Sequence, residues 1–176
     1  YQNNTYKMTM GLRYMTEMCD SGSNFTFFID GDYALNIVNL LTYLHNLRSH
    51  ENFYGGKMWF TRPLRQKFDK HYRSLEQYPY AYYPPFIAAG AMLLSEDVVK
   101  RFYILSHYTK YFPFDDVFFG FIAKKLDVTA VQMSDLLPSY FNIPQKDDIR
   151  NLHLIGSHRF GHLDEVEFIY NKLLYL

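Results

Sequence analysis

The chain has 176 residues, with 18 Lys and Arg against 18 Asp and Glu, and 48% of it is hydrophobic. That length and apolar content suit one domain with a real core and exclude an extended disordered chain. Zero formal charge argues against a dedicated nucleic-acid binder, which carries a basic excess.

In chain order, residues 4–18 carry Tyr6, Met10, Tyr14 and Met18 at helical spacing. Asp20-Ser21-Gly22-Ser23-Asn24 reads as a turn, and Phe25–Ile29 as a short buried strand running into Asp30-Gly31-Asp32. Residues 33–48 are predicted helical, with Leu35, Val38, Leu41, Leu44 and Leu47 on a stripe. A Gly55-Gly56 turn and a strand near 57–61 follow. Residues 62–86 are rich in Pro, Tyr and basic groups and read as a long, functional loop. Phe86–Leu94 reads as a strand, and Ser95 as the N-cap of a helix reaching about Tyr108. Pro113-Phe114-Asp115-Asp116 leads into a helix at 117–126. A strand near 128–132, a loop through 133–151, a strand at 153–157 and a helix at 164–175 complete the order. Strands alternating with helices indicate an α/β fold with a mainly parallel sheet, and nothing divides residues 1–176 into two domains.

The one cysteine, Cys19, permits no internal disulfide. No apolar run of about 20 residues is present to cross a membrane. The chain opens at Tyr1 inside a helical pattern and is read as truncated. Aromatic residues make up 19%, with 17 Tyr and 16 Phe. They serve a ring-rich core, a cleft that stacks on sugar faces, or both. Two Asn-x-Thr sequons, at Asn3 and Asn24, occur; Asn24, in a turn, is the better glycan acceptor.

Asp30-Gly31-Asp32 sits at the C-terminal end of a strand, where open α/β sheets bind ligands. In an extended segment residues i and i+2 project to the same side, giving two hard oxygen donors for Mn²⁺ or Mg²⁺. Gly31 leaves the backbone open to a diphosphate. The plainer alternative is an Asp-Gly turn. Asp115-Asp116 reads either as helix-capping acids or as a general base for a sugar hydroxyl. Among His153, His158 and His162, a histidine that joins the Asp30/Asp32 metal is favoured over a zinc pair, because Gly156 and Gly161 break the segment. Lys57, Arg62, Arg65, Lys67, Lys70, His71, Tyr72 and Arg73 make a solvated basic face or a local field for phosphate. The Tyr78–Phe86 stretch lines an acceptor cleft or covers the sheet.

Together these segments resemble glycosyltransferase family 31, the β-1,3-galactosyltransferase and N-acetylglucosaminyltransferase group. Asn4-Thr5-Tyr6-Lys7 with Cys19 resembles the family's N-L-T-x-K helix and trailing Cys. Phe27–Asn36 resembles its strand, aspartate triplet and following Asn. Arg62-Pro63-Leu64-Arg65 with Lys70, Tyr83-Pro84-Pro85-Phe86 with Gly90 and Ser95, Asp115-Asp116-Val117 with Gly120, and Gly156-Ser157-His158-Arg159 match later motifs in order. The chain departs from the family at Gly31 (the triplet's middle acid), Phe28 (usually Lys), Asp115 (usually Glu), and Met92 and Leu93 (usually Gly and Tyr).

The resemblance implies a GT-A fold, a Rossmann-like mixed sheet flanked by helices, incomplete at its N-terminus. It implies Mn²⁺ as cofactor, a UDP-sugar donor, a glycan acceptor on protein or lipid, and no nucleic-acid partner. It also implies a type II Golgi membrane protein with a lumenal catalytic domain and an anchor upstream. Within that expectation Asp30, Asp32 and His158 hold the metal, and Asp30, Asp32, Arg65 and Lys70 hold the donor. Asp115, Tyr83 and Gly90 contact the acceptor, and Asp116 is the base of an inverting displacement. The departures also leave open a non-catalytic, sugar-binding or scaffolding relative, which would show no metal-dependent UDP binding. A third possibility, a nucleotidyltransferase of another Rossmann type, predicts no transfer to sugar acceptors.

Overall fold

The computed structural model describes residues 3–19, 24–133, 136–137 and 153–158, the last by its main chain. In chain order these form α1 (Asn4–Glu17), β1 (Phe25–Ile29), β2 (Tyr33–Leu35) and α2 (Ile37–His45). Then come β3 (Tyr54–Trp59), β4 (Phe86–Ser95), α3 (Glu96–Ser106), α4 (Asp115–Lys125), β5 (Ala130–Gln132) and β6 (Gly156–His158). The predicted turn at 20–23, most of the loop at 133–151, the helix at 164–175 and His162 lie outside the described residues.

A four-stranded sheet runs in the order β1-β4-β3-β5, and β2 and β6 form a separate ladder. Only β3 and β5 are parallel; β4 is antiparallel to both β1 and β3. The mixed sheet agrees with the GT-A expectation and corrects the mainly parallel one. The alternation rule fails because β3 returns to β4 through the 60–85 loop rather than a crossover helix, and an antiparallel pair needs no such crossover.

β4 organises the core by its period of two. Met92 and Leu94 belong to one buried cluster with Tyr54, Val98, Phe102, Phe119 and Ile122, against which Met8 and Met15 of α1 pack. Ala91 and Leu93 belong to the other, with Phe53, Met133, Leu137 and Ile155 against Leu40, Tyr43 and Leu44 of α2. Helices therefore cover both faces, and each large side chain withdrawn from water contributes roughly 1.5–3 kcal/mol.

In α1 the Tyr6, Met10, Tyr14 and Met18 stripe faces outward, each more than half exposed. A second stripe turns inward: Thr5 and Leu12 are buried, and Met8 and Met15 pack on the core. The Thr5 hydroxyl donates to the Phe112 carbonyl at 2.7 Å, which fixes the rotation of the helix.

Two expectations need correction. The predicted 33–48 helix begins at Ile37, because residues 33–35 pair with 156–158 as strand. Asn36 caps the shortened helix, its Oδ1 accepting from the Asn39 amide at 3.1 Å. Gly55-Gly56 lies inside β3 and is not a turn. A Cβ on Gly56 would come within 2.4 Å of Ile87 and 2.7 Å of the Ala91 carbonyl oxygen, so close strand packing demands the glycine there.

Candidate active site

β1 delivers its acids at the sheet's edge. Ile29 pairs with Ala91, and the Asp30 amide then donates to the Gly90 carbonyl at 2.8 Å. The Tyr33 amide returns to the Asp30 carbonyl at 3.2 Å, so Asp30-Gly31-Asp32 forms a tight turn. The segment is not extended, and simple alternation therefore does not set the direction of its two carboxylates. Both acids are exposed, and the Lys7 ammonium lies 3.8 Å from Asp30. A Cβ built on Gly31 meets nothing within 4 Å, so the space over its backbone is open.

Gly90 has φ +105°, and a Cβ there would fall 3.0 Å from the Tyr33 ring. This bare backbone lets Tyr33 fold over β4. Burial pushes the Tyr33 phenol up to about 12, with the Asp30 and Asp32 charges adding to the effect. Gly90 thus supports the acid turn and does not line the cavity described next.

Asp115 and Asp116 open α4, stabilised by the first-turn amides and the helix dipole. The Asp116 carboxylate accepts from the Val117 amide at 2.7 Å and also from the Ala89 amide. Loss of water and then the neighbouring Asp115 charge raise Asp116 to about 6. Asp115 is buried and is likewise raised, first by desolvation, with a further contribution from the Asp30 charge. The β1 turn and the α4 acids are thus tied to neighbouring residues of β4, Gly90 and Ala89.

A cavity of about 570 Å³ lies over the α4 acids. Its walls include Trp59, Arg62, His71, Tyr83, Phe114, Asp115 and Asp116. This volume suits a small ligand such as one or two sugar rings. The Tyr83 ring packs against Tyr78, Phe112 and Phe121, while its buried hydroxyl has no hydrogen-bond partner among the described residues. Burial holds that phenol up at about 12, so it is a proton donor at neutral pH. Burial and then the Lys70 charge hold the His71 imidazole below its usual value.

Arg65 has a structural task. Its guanidinium donates to the carbonyls of Arg73, Ser74, Tyr78 and Tyr80 at 2.8–3.0 Å. It staples the loop shut and lies outside the cavity wall. Lys70 is exposed on the same loop. Trp59 and Thr61, both on the cavity wall, were invisible to motif reasoning. The one signal for Trp59 is its rarity, since it is the only Trp in the sequence.

His158 pairs with Tyr33 in the β2–β6 ladder, so its backbone lies one residue past Asp32. Its side chain lies outside the described residues. Among the described residues no group of three or more His, Cys, Asp or Glu is placed to hold a metal. Two carboxylates still match the needs of Mn²⁺ or Mg²⁺, which take one or two protein carboxylates together with substrate phosphates. The open space at Gly31 fits that arrangement. No helix among the described residues is long and apolar enough to cross a membrane.

The chain is similar to β-1,3-galactosyltransferase brn of Drosophila melanogaster, 35% identical over 98% of this chain and 53% of that protein. β-1,3-Galactosyltransferase bre-5 of Caenorhabditis elegans is likewise 35% identical, over 98% of this chain and 53% of its own length. The human UDP-GalNAc:β-1,3-N-acetylgalactosaminyltransferase 1 is 27% identical over 96% of this chain and 51% of its own. The chain thus spans about half the length of the curated relatives it matches. The galactosyltransferase family model matches residues 1–134, and the chain belongs to that family.

Proposed function

We propose that this chain is the acid-bearing part of a hexosyltransferase domain that moves galactose or an N-acetylhexosamine from a UDP-sugar to a glycan hydroxyl. The product is a β-1,3 linkage formed with inversion. The observation that carries this reading is Asp116, a carboxylate at the wall of a sugar-sized cavity with its pKa raised to about 6. A base tuned near the working pH is what proton removal from a hydroxyl requires.

Asp116 takes the proton of the acceptor hydroxyl. The freed oxygen forms a bond to the anomeric carbon from the face opposite the nucleotide. The bond from that carbon to the diphosphate oxygen breaks, and UDP leaves with the electron pair. Asp115, buried beside Asp116, orients the acceptor, and Tyr83 on the cavity wall packs against it. Asp30 and Asp32, with His158 of the paired strand, would hold Mn²⁺, which supplies Lewis-acid neutralisation of the leaving diphosphate. Lys70 adds positive field for the same charge. Family membership supports a Golgi setting, with the domain in the lumen and a membrane anchor upstream.

Calorimetry of UDP with and without Mn²⁺ on the full-length protein, paired with a donor screen read as UDP release, tests this reading. Asp116→Asn should abolish transfer and spare UDP binding, whereas Asp30→Asn and Asp32→Asn should weaken the Mn²⁺-dependent heat. Transfer retained in Asp116→Asn removes that residue from its role. Absence of any Mn²⁺-dependent UDP heat in the native protein favours the scaffold reading.

A further inference from the structure

Phe60 and Tyr82 form an aromatic step beside the cavity that the transfer chemistry does not use. Their rings stack with centroids 5.0 Å apart and planes 7° from parallel. Both remain open to water, Phe60 at 60% exposure and Tyr82 at 40%. Single exposed aromatic residues are ordinary. This pair differs because the fold fixes it from several directions.

The Tyr83 amide donates to the Thr61 carbonyl at 3.0 Å, tying together the two segments that carry the rings. The Tyr78 hydroxyl donates to the Tyr82 carbonyl at 2.8 Å. Arg62 lies over the Tyr82 ring at 4.9 Å and donates to its hydroxyl at 2.6 Å. Pro63 and Pro84, both buried, flank the pair and stiffen the backbone. Arg62 also lines the 570 Å³ cavity, so the step continues from the cavity wall.

We propose that the Phe60–Tyr82 step is a subsite for a second sugar of the acceptor, the residue next to the one whose hydroxyl reacts. This rests on the transfer reading above. A pyranose carries C–H bonds on one face with partial positive charge, and these settle on the negative face of an aromatic ring; with Tyr82 covered by Phe60 and Arg62, the face offered is the outer one of Phe60. A rigid, prepaid ring loses little freedom on binding, and Arg62 stands beside it to donate to ring or glycosidic oxygens. The acceptor class is therefore a glycan of at least two sugars, with the terminal one in the cavity.

The test uses the full-length protein, with Phe60→Ala and the conservative Phe60→Trp. The probes are lactose, N,N′-diacetylchitobiose and mannobiose, each set against the methyl glycoside of its terminal sugar. Phe60→Ala should raise KM for the accepted disaccharide about tenfold, the loss of one stacking contact, and Phe60→Trp should restore it. The KM for the matching monosaccharide and for the UDP-sugar should move by less than about twofold. An equal loss on monosaccharide, or a raised KM for the donor, overturns the proposal; the latter would assign the step to the uracil ring.

Saturation-transfer NMR of the same probes gives an answer that needs no turnover. Stronger saturation of the disaccharide by the native protein than by Phe60→Ala supports the subsite even where no transfer is detected, an outcome that would remove the transferase reading alone. Equal saturation by both proteins, or none by the native one, overturns the subsite.

Discussion

The amide of Asp30 donates to the carbonyl of Gly90 at 2.8 Å, one residue along β4 from the Ala89 amide that holds Asp116. Two acidic centres 86 positions apart in sequence thus hang from adjacent residues of one strand. The Asp30 charge, brought near by this arrangement, adds to the desolvation that raises Asp115.

Gly90→Ala should therefore disturb both centres. The backbone there has φ +105°, and the added methyl would fall 3.0 Å from the Tyr33 ring. Urea denaturation should show a loss of roughly 1–3 kcal/mol, the cost of forcing a side chain into such a conformation. UDP binding should weaken in the same variant.

Asp116 predicts opposite effects on activity and stability. With a folded pKa of about 6, transfer should rise through about pH 6 as the base ionises. For stability the sign runs the other way. Between the unfolded value near 3.8 and about 6, the native state binds the extra proton, so stability falls as pH rises through that window. Asp116→Asn removes the penalty. At pH 8 it should be more stable than the parent in chemical denaturation, by on the order of 2–3 kcal/mol at most, while transferring no sugar.

Tyr83→Phe removes a buried hydroxyl that no described residue satisfies. Chemical denaturation should show stability unchanged or raised by up to about 1–2 kcal/mol. The KM for acceptor should change by less than about twofold, because the buried hydroxyl is out of a ligand's reach and the ring stays on the cavity wall. A clear loss of stability would show that the hydroxyl has a structural partner.

Arg65→Lys keeps the charge and discards the planar fork that reaches the four loop carbonyls. Limited proteolysis should cut residues 66–82 several times faster, in line with roughly 1 kcal/mol of lost local stability. UDP affinity should be nearly unchanged. A variant with an intact loop but poor UDP binding would return Arg65 to the donor site.

Most of the framework was legible in the sequence. Runs such as Phe25–Ile29 and Phe86–Leu94 have a strand's composition, and Asp115-Asp116 marks a helix start. The errors have identifiable physical causes. In α1 two apolar stripes compete, and the buried hydrogen bond of Thr5, a polar residue that periodicity ignores, selects between them. Gly55-Gly56 reads locally as a turn because glycine signals both turns and close strand contact, and only the neighbours Ile87 and Ala91 reveal which applies. The 33–48 helix was started too early because Tyr33–Leu35 acquires its strand partner from residues 156–158, more than a hundred positions away. At the site, acids and glycines were readable from motifs. The cavity's Trp59 and the structural role of Arg65 depend on loop packing that no local pattern encodes.

The β2–β6 ladder has three residue pairs, Tyr33 with His158, Ala34 with Ser157 and Leu35 with Gly156. Short as it is, this ladder is tied to the core by buried Ala34, Ile155 and Ser157, and it begins immediately after Asp32. Loosening it would free the acid turn on one side while the four-stranded sheet stayed whole.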